Sequence, residues 1–187
     1  TQDEVDIAMT TLSKHTNDIV LMQCNTNYTA SLENFKYINL NVLKEYSRRY
    51  SNTILGLSDH TPGHATVLGA VTLGARVIEK HFTDDTTREG PDHKFSMNSS
   101  TWKDMVDRTR ELEKSLGLEI KKVEDNEKET VILQRRAIRT KRDLMVGDTI
   151  CEDDLEFLRP CPKDALPPYK LKEILSKELS KDVKSGD

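Results

Sequence analysis

Thr53-Ile54-Leu55-Gly56-Leu57-Ser58-Asp59-His60-Thr61 and, after a helical stretch, Ala75-Arg76-Val77-Ile78-Glu79-Lys80-His81-Phe82-Thr83 decide how this chain folds. Each opens as a short apolar or β-branched run bounded by Gly or polar residues, the pattern of a buried strand. Each ends in polar residues. Side chains two apart on a strand share a face. Ser58 and His60 are therefore expected to point one way, and Glu79 and His81 likewise. Between the runs a helix is expected over residues 62–73, with Thr61 as its cap, Pro62 in its first turn and Gly74 at C′. Strand, helix and parallel strand make a right-handed βαβ unit, which sets the two polar ends side by side. Two imidazoles, a carboxylate and a hydroxyl then converge at the C-terminal edge of a parallel sheet, where α/β folds and (β/α) barrels carry their sites.

Two His with carboxylates near them suit a borderline divalent metal such as Mn, Fe, Co or Zn, whereas an all-oxygen cage suits Mg or Ca better. The bland alternative is that His60 and His81 each cap a strand end by bonding backbone. What favours a metal is the clustering, with each His two residues from another polar group at a neighbouring strand end.

Outward from this stretch the chain alternates. A helical segment over residues 1–13 precedes a buried strand over residues 18–24, the polar loop Asn25-Thr26-Asn27-Tyr28-Thr29, and a largely helical segment over residues 32–50. After the His81 strand come a charged loop holding Gly90-Pro91-Asp92-His93 and a helix capped by Ser99 or Ser100. That helix has Trp102, Met105, Val106, Thr109, Leu112 and Leu116 on one face. Alternation of this kind predicts a parallel sheet with helices outside. Three strands fall short of the eight of a closed barrel, so the first part reads as the C-terminal portion of something larger.

Composition changes after Lys121. The run Glu124-Asp125-Asn126-Glu127-Lys128-Glu129 reads as a solvated linker or surface helix. Beyond it, short strands over residues 136–140 and 156–159, a turn at Val146-Gly147-Asp148, a helical turn at Glu152-Asp153-Asp154-Leu155, a Pro-started helix over residues 168–176 and a strand running into a turn over residues 181–187 indicate a small β-rich module. The expected organisation is a partial (β/α) barrel over residues 1–120, a linker over residues 121–134 and the module over residues 135–187.

The 187 residues carry a net charge of −4 with both signs mixed throughout, which leaves no electrostatic footprint for nucleic acid. No apolar run approaches the roughly 18 residues of a membrane span, and no signal peptide opens the chain. Cys24, Cys151 and Cys161 form no Cys-x-x-Cys pair and read as free thiols of a reducing compartment. The expectation is a cytoplasmic protein with small-molecule substrates.

The motifs Leu57-Ser58-Asp59-His60-Thr61, Val77-Ile78-Glu79-Lys80-His81-Phe82-Thr83 and Gly90-Pro91-Asp92-His93, with Leu73-Gly74-Ala75 between the first two, resemble the sialic acid synthase family. Cys24-Asn25-Thr26-Asn27-Tyr28 is similar to that family's Cys-Thr-x-x-Tyr-Pro loop, with Thr29 in place of the Pro. Leu144-x-x-Gly147 and Leu158-Arg159-Pro160 are similar to its antifreeze-like (SAF) domain. The resemblance implies an α/β fold, the C-terminal portion of a (β/α)8 TIM barrel followed by a small β-rich SAF domain. It implies a transferase that condenses phosphoenolpyruvate with an N-acyl-mannosamine-type aldehyde and releases phosphate. It also implies that residues 1–187 alone are inactive, because the first five barrel strands and their phosphoenolpyruvate-binding lysines lie upstream.

By the same resemblance His60 and His81 are ligands of a divalent metal, Mn2+ or Mg2+. Glu79 and Asp92 are the catalytic carboxylates, Asp92 at a sugar-contacting position. Thr26, Tyr28, Ser58 and Arg159 bind substrate: Ser58 and Thr26 near the phosphate, Tyr28 at the sugar, and Arg159 at the N-acyl group of a neighbouring subunit's site in a domain-swapped homodimer. On their own residues, Glu79 could equally make a salt bridge, Asp92 cap a turn, and Arg159 sit on a solvated surface. Two other functions compete: a non-catalytic carbohydrate-binding SAF module, and another phosphoenolpyruvate-dependent aldol-type synthase. The amino sugar and its phosphorylation state are not legible in the residues.

Overall fold

The computed structural model describes residues Thr1–Asp187, which divide into two compact units, Thr1–Leu118 and Glu119–Asp187. In the first, α1 (Gln2–Leu12) precedes β1 (Val20–Cys24), α2 (Val42–Arg49), β2 (Ile54–Asp59), α3 (Ala65–Thr72), β3 (Val77–Lys80) and α4 (Ser99–Leu116). The strands form one parallel sheet in the order β1-β2-β3, as the alternation predicts.

The pleat sorts this sheet into two unlike faces. Leu55 and Leu57 of β2 are buried against Val67, Ala70 and Val71 of α3, Leu43 of α2 and Met105 of α4. Leu21 of β1 and Ile78 of β3 pack on the same core. Burying such side chains contributes about 1.5–3 kcal/mol each, and this is what holds the helices on that face. The alternate positions lie on the other face, where Ile54 is 50% exposed and Val20 44%. Register across the sheet aligns Cys24 with Ser58 and Ser58 with Glu79, and one residue later Asp59 with Lys80. The polar ends of the strands therefore finish level.

Several local expectations need correction. Residues 32–50 are not one helix: a 3-10 helix covers Leu32–Tyr37, Asn39 takes a left-handed φ of 50°, and α2 begins only at Val42. Asn tolerates that region where most residues do not, so the chain turns there. Helix α3 starts at Ala65, three residues later than expected, and Thr61 does not cap it, since its hydroxyl pairs instead with Asp59 and Thr66. Gly74 stands where expected, just past the C-cap, with φ of +101°. Asn98, not Ser99 or Ser100, caps α4 in a capping box with Thr101, because its amide oxygen reaches the N3 amide as a serine there would.

In the second unit, β4 (Ala137–Thr140) pairs antiparallel with β5 (Leu155–Leu158). Single bridges join Leu144 to Val183 and Thr149 to Glu178, so the strand expected over residues 181–187 is reduced to one bridged residue. Two short helices, α5 (Thr130–Gln134) and α6 (Leu171–Ile174), and 3-10 turns at Asp125–Glu127, Glu152–Asp154 and Pro168–Lys170 complete it. Ala137, Ile138, Leu144 and Leu155 form its core. Exposed ion pairs and capped turns surround that core. Asp143 accepts from Lys184 and the Ser185 amide, and Asp154 from Arg142.

Candidate active site at the ends of the parallel strands

His60 and His81 each stand one residue past the last paired residue of their strand, so other contacts must orient their rings. The carbonyl of Asn25, one residue past β1, accepts from His60 Nδ1 at 2.8 Å. A carbonyl cannot donate, so Nδ1 carries the hydrogen and Nε2 is left with its lone pair. His81 Nδ1 faces Asp92 Oδ2 at 3.5 Å, which favours the same tautomer. The ring centroids are 5.0 Å apart. Both rings rest on Phe95, buried at 3% exposure, with centroids 5.8 and 5.0 Å away. Tyr28 lies over His60 at 4.1 Å and meets His81 edge-on at 5.6 Å.

Phe95 reaches this position because the charged loop folds back. The Met97 amide donates to the His81 carbonyl and the Thr83 amide to the Met97 carbonyl, both at 2.9 Å. Inside the loop His93 Nδ1 bonds Thr83 Oγ1 at 2.8 Å. The Ser96 amide and hydroxyl both donate to the Asp92 carbonyl, which fixes the backbone from which Asp92 reaches His81.

Level with the His pair, Ser58 Oγ donates to Glu79 Oε2 at 2.5 Å. The structure thus brings together Tyr28, Ser58, His60, Glu79, His81 and Asp92 at one edge of the sheet. Thr26 lies in the same loop as Tyr28, but its side chain is exposed. Arg159 lies in the second unit, exposed, just beyond β5 and before a cis peptide bond to Pro160.

No group of three or more His, Cys, Asp or Glu side chains is placed to hold a metal. What this chain offers is two imidazoles, each with Nδ1 turned to an oxygen, the usual outer partner of a ligating histidine. That donor set fits part of the shell of a borderline divalent ion, with water or substrate for the rest.

The other side of the same strand ends holds residues that sequence reasoning passed over. Asp59 and Lys80, with side chains 0% and 1% exposed, form an ion pair of 2.6 Å. Lys80 Nζ also donates to the Thr61 carbonyl at 2.7 Å. The Asp59 carboxylate accepts from the Thr61 amide at 3.1 Å and from the Thr66 hydroxyl at 2.6 Å. The period-two pattern could have found the pair, since it places Asp59 and Lys80 opposite the His residues and on neighbouring strands. An apolar cavity of about 230 Å³ between α3 and α4, lined by Val67, Val71, Trp102 and Met105, is on this helix side and plays no part in the edge site.

Residues 1–121 match the NeuB family and residues 135–187 the SAF domain. The chain belongs to the NeuB family. It is 38% identical over 168 residues to an N,N'-diacetyllegionaminic acid synthase of Legionella pneumophila, covering 90% of this chain and 46% of that protein. To a pseudaminic acid synthase of Campylobacter jejuni it is 36% identical over 173 residues, covering 91% and 48%. Among solved structures, the N-acetylneuraminic acid (sialic acid) synthetase of Leptospira borgpetersenii in complex with citrate superposes with a TM-score of 0.61 at 27% identity, covering 70% of this chain and 45% of that one. This NeuB-family chain spans about half the length of the curated relatives it matches. The mixed α/β unit followed by a SAF domain is the fold that the motifs implied, and the named relatives are synthases of nonulosonic acids. No helix is long and apolar enough to cross a membrane.

Proposed function

We propose that this chain supplies the C-terminal barrel strands and SAF domain of a nonulosonic acid synthase, a transferase that condenses phosphoenolpyruvate with an N-acyl-mannosamine-type aldehyde. In that reaction C3 of phosphoenolpyruvate forms a bond to the aldehyde carbon, whose oxygen takes a proton. Water adds at C2, and phosphate leaves by C–O cleavage.

The observation that carries this reading is the His60–His81 pair, two imidazoles 5.0 Å apart with Nδ1 turned to oxygen and Nε2 left to coordinate. They would hold a divalent ion, and two nitrogen donors favour Mn2+ over Mg2+. Such an ion would polarise the aldehyde oxygen as a Lewis acid. Glu79 has one oxygen engaged by Ser58 and another free to accept from a sugar hydroxyl. Asp92 orients His81 and offers its remaining oxygen to the sugar. Tyr28, half exposed above the rings, closes over the sugar and excludes water. Ser58 contacts the phosphate only if its hydroxyl turns away from Glu79, since it has a single hydrogen to donate. Thr26 lies within the same loop for that anion.

Turnover requires a complete barrel, so residues 1–187 by themselves are expected to be inactive. Arg159 of the SAF domain is assigned to the N-acyl oxygen in a neighbouring subunit's site of a homodimer. A charge-assisted bond there contributes on the order of 1.5–3 kcal/mol.

The test is His81→Ala in the complete enzyme, followed by Mn2+ titration and turnover. Removing a ligand should lower affinity by more than the roughly 10–100-fold that outer partners are worth. Unchanged affinity and turnover would remove the carrying observation. Mixing Arg159→Ala with His81→Ala protomers then tests the shared site. Recovery to roughly a quarter of wild-type activity is expected, since random exchange makes half the dimers mixed, each with one intact site.

A further inference from the structure

We infer that the buried Asp59–Lys80 pair is a positioning clamp, which sets the separation of His60 and His81 and so their capacity to hold a divalent cation together. The inference rests on the reading of those two histidines as ligands.

Asp59 and Lys80 are the last residues of β2 and β3 and are partners in register. His60 and His81 follow immediately, beyond the parallel ladder. Backbone pairing therefore ceases just before the residues whose spacing matters. At that boundary the structure places an ion pair of 2.6 Å with essentially no solvent exposure. It is cross-braced within β2's own exit, where Lys80 holds the Thr61 carbonyl and Asp59 holds the Thr61 amide. These bonds flank His60 on both sides, through residues 59 and 61. Thr66, in the first turn of α3, adds a third anchor at 2.6 Å. His60 cannot shift along or away from β3 without breaking one of these bonds in a dry environment, where an unpaired polar group is costly.

Such a pair is not needed for stability alone. Apolar or neutral replacements of a whole buried ion pair are often neutral or stabilising, whereas removing one partner is not. That separates positioning from bulk stability. Asp59→Asn/Lys80→Met removes one charge of each sign, keeps side-chain size and leaves the net charge behind the histidines unchanged. Any loss of cation affinity in it is then geometric, not Coulombic.

The experiment uses the complete protein, with three measurements on wild type and the double variant. They are thermal midpoint, Mn2+ affinity by electron paramagnetic resonance well below that midpoint, and exchange of the His60 ring N–H proton by NMR without metal. The double variant is expected to melt within a few degrees of wild type and to bind Mn2+ on the order of tenfold more weakly, as outer partners of a ligand do. Its His60 N–H should exchange faster, because the hydrogen bond to Asn25 loosens. Unchanged Mn2+ affinity and unchanged N–H protection in the folded variant would overturn the clamp, whatever the midpoint.

If wild type binds no Mn2+, the functional reading fails separately, and the clamp is decided by the N–H exchange alone. Should the double variant not fold, Thr66→Val deletes one hydroxyl from Asp59 and keeps the ion pair. A loss of roughly twofold to threefold in affinity is then expected, a fraction of the outer-partner effect, and no loss in either measurement overturns the proposal.

Discussion

The two faces of the β2 and β3 ends differ more than their one-residue offset suggests. On one face, Ser58, His60, Glu79 and His81 are joined by single hydrogen bonds and ring contacts; Glu79 is exposed, Ser58 and His81 are half-buried, and His60 is buried. On the helix face, Asp59, Thr61, Thr66 and Lys80 are all buried and bonded several times over. On the first face Glu79 keeps one carboxylate oxygen unengaged, whereas on the second both oxygens of Asp59 accept hydrogen bonds. A sparsely bonded cluster is thus backed by a densely bonded one.

The sharpest way to break that contrast is to remove one charge from the helix face. Lys80→Met alone leaves the Asp59 carboxylate buried without its counter-ion and is expected to cost about 3–5 kcal/mol of stability, read by denaturant unfolding. A cost below that of the variants on the first face would abolish the distinction. Next comes Gly56→Ala, on the first face but inside the sheet. An added Cβ would lie 2.8 Å from both Met22 Cγ and the Val77 carbonyl oxygen. The methionine can move and the backbone oxygen cannot, so about 1–3 kcal/mol is expected by the same measurement. Ser58→Ala, at the edge, deletes one partly solvated hydrogen bond and should cost no more than about 0.5–1.5 kcal/mol, its main effect falling on substrate affinity.

The smallest effect is expected in the second unit, where ion pairs stay wet. The Lys184 ammonium and the Ser185 amide hold the Asp143 carboxyl below its ordinary 3.8, and Arg142 does the same for Asp154. A carboxylate depressed on folding adds stability that is fully present above the unfolded value and lost as pH falls through the folded one. The thermal midpoint of this unit should therefore be flat from neutral pH to about 5 and fall below about 4. Lys184→Met should flatten that acid limb. A limb of unchanged steepness would show that the pair contributes nothing.

The residue pattern alone determined the parallel α/β unit, the β-rich module after it and the convergence of Ser58, His60, Glu79 and His81. Period-two alternation and strand–helix–strand order leave few other ways to bury Leu55, Leu57 and Ile78. Helix starts were legible less well, because Thr61 had two possible partners and the nearer carboxylate took its hydroxyl. Only the tertiary structure decided the rest: the Asn25 carbonyl that sets the tautomer of His60, Phe95 brought beneath both rings by the fold-back at Met97, and the Asp59–Lys80 pair. These depend on which residues of separate segments become neighbours. A one-dimensional pattern says which face a side chain takes, but contact across strands and loops exists only once the register is set and water is excluded.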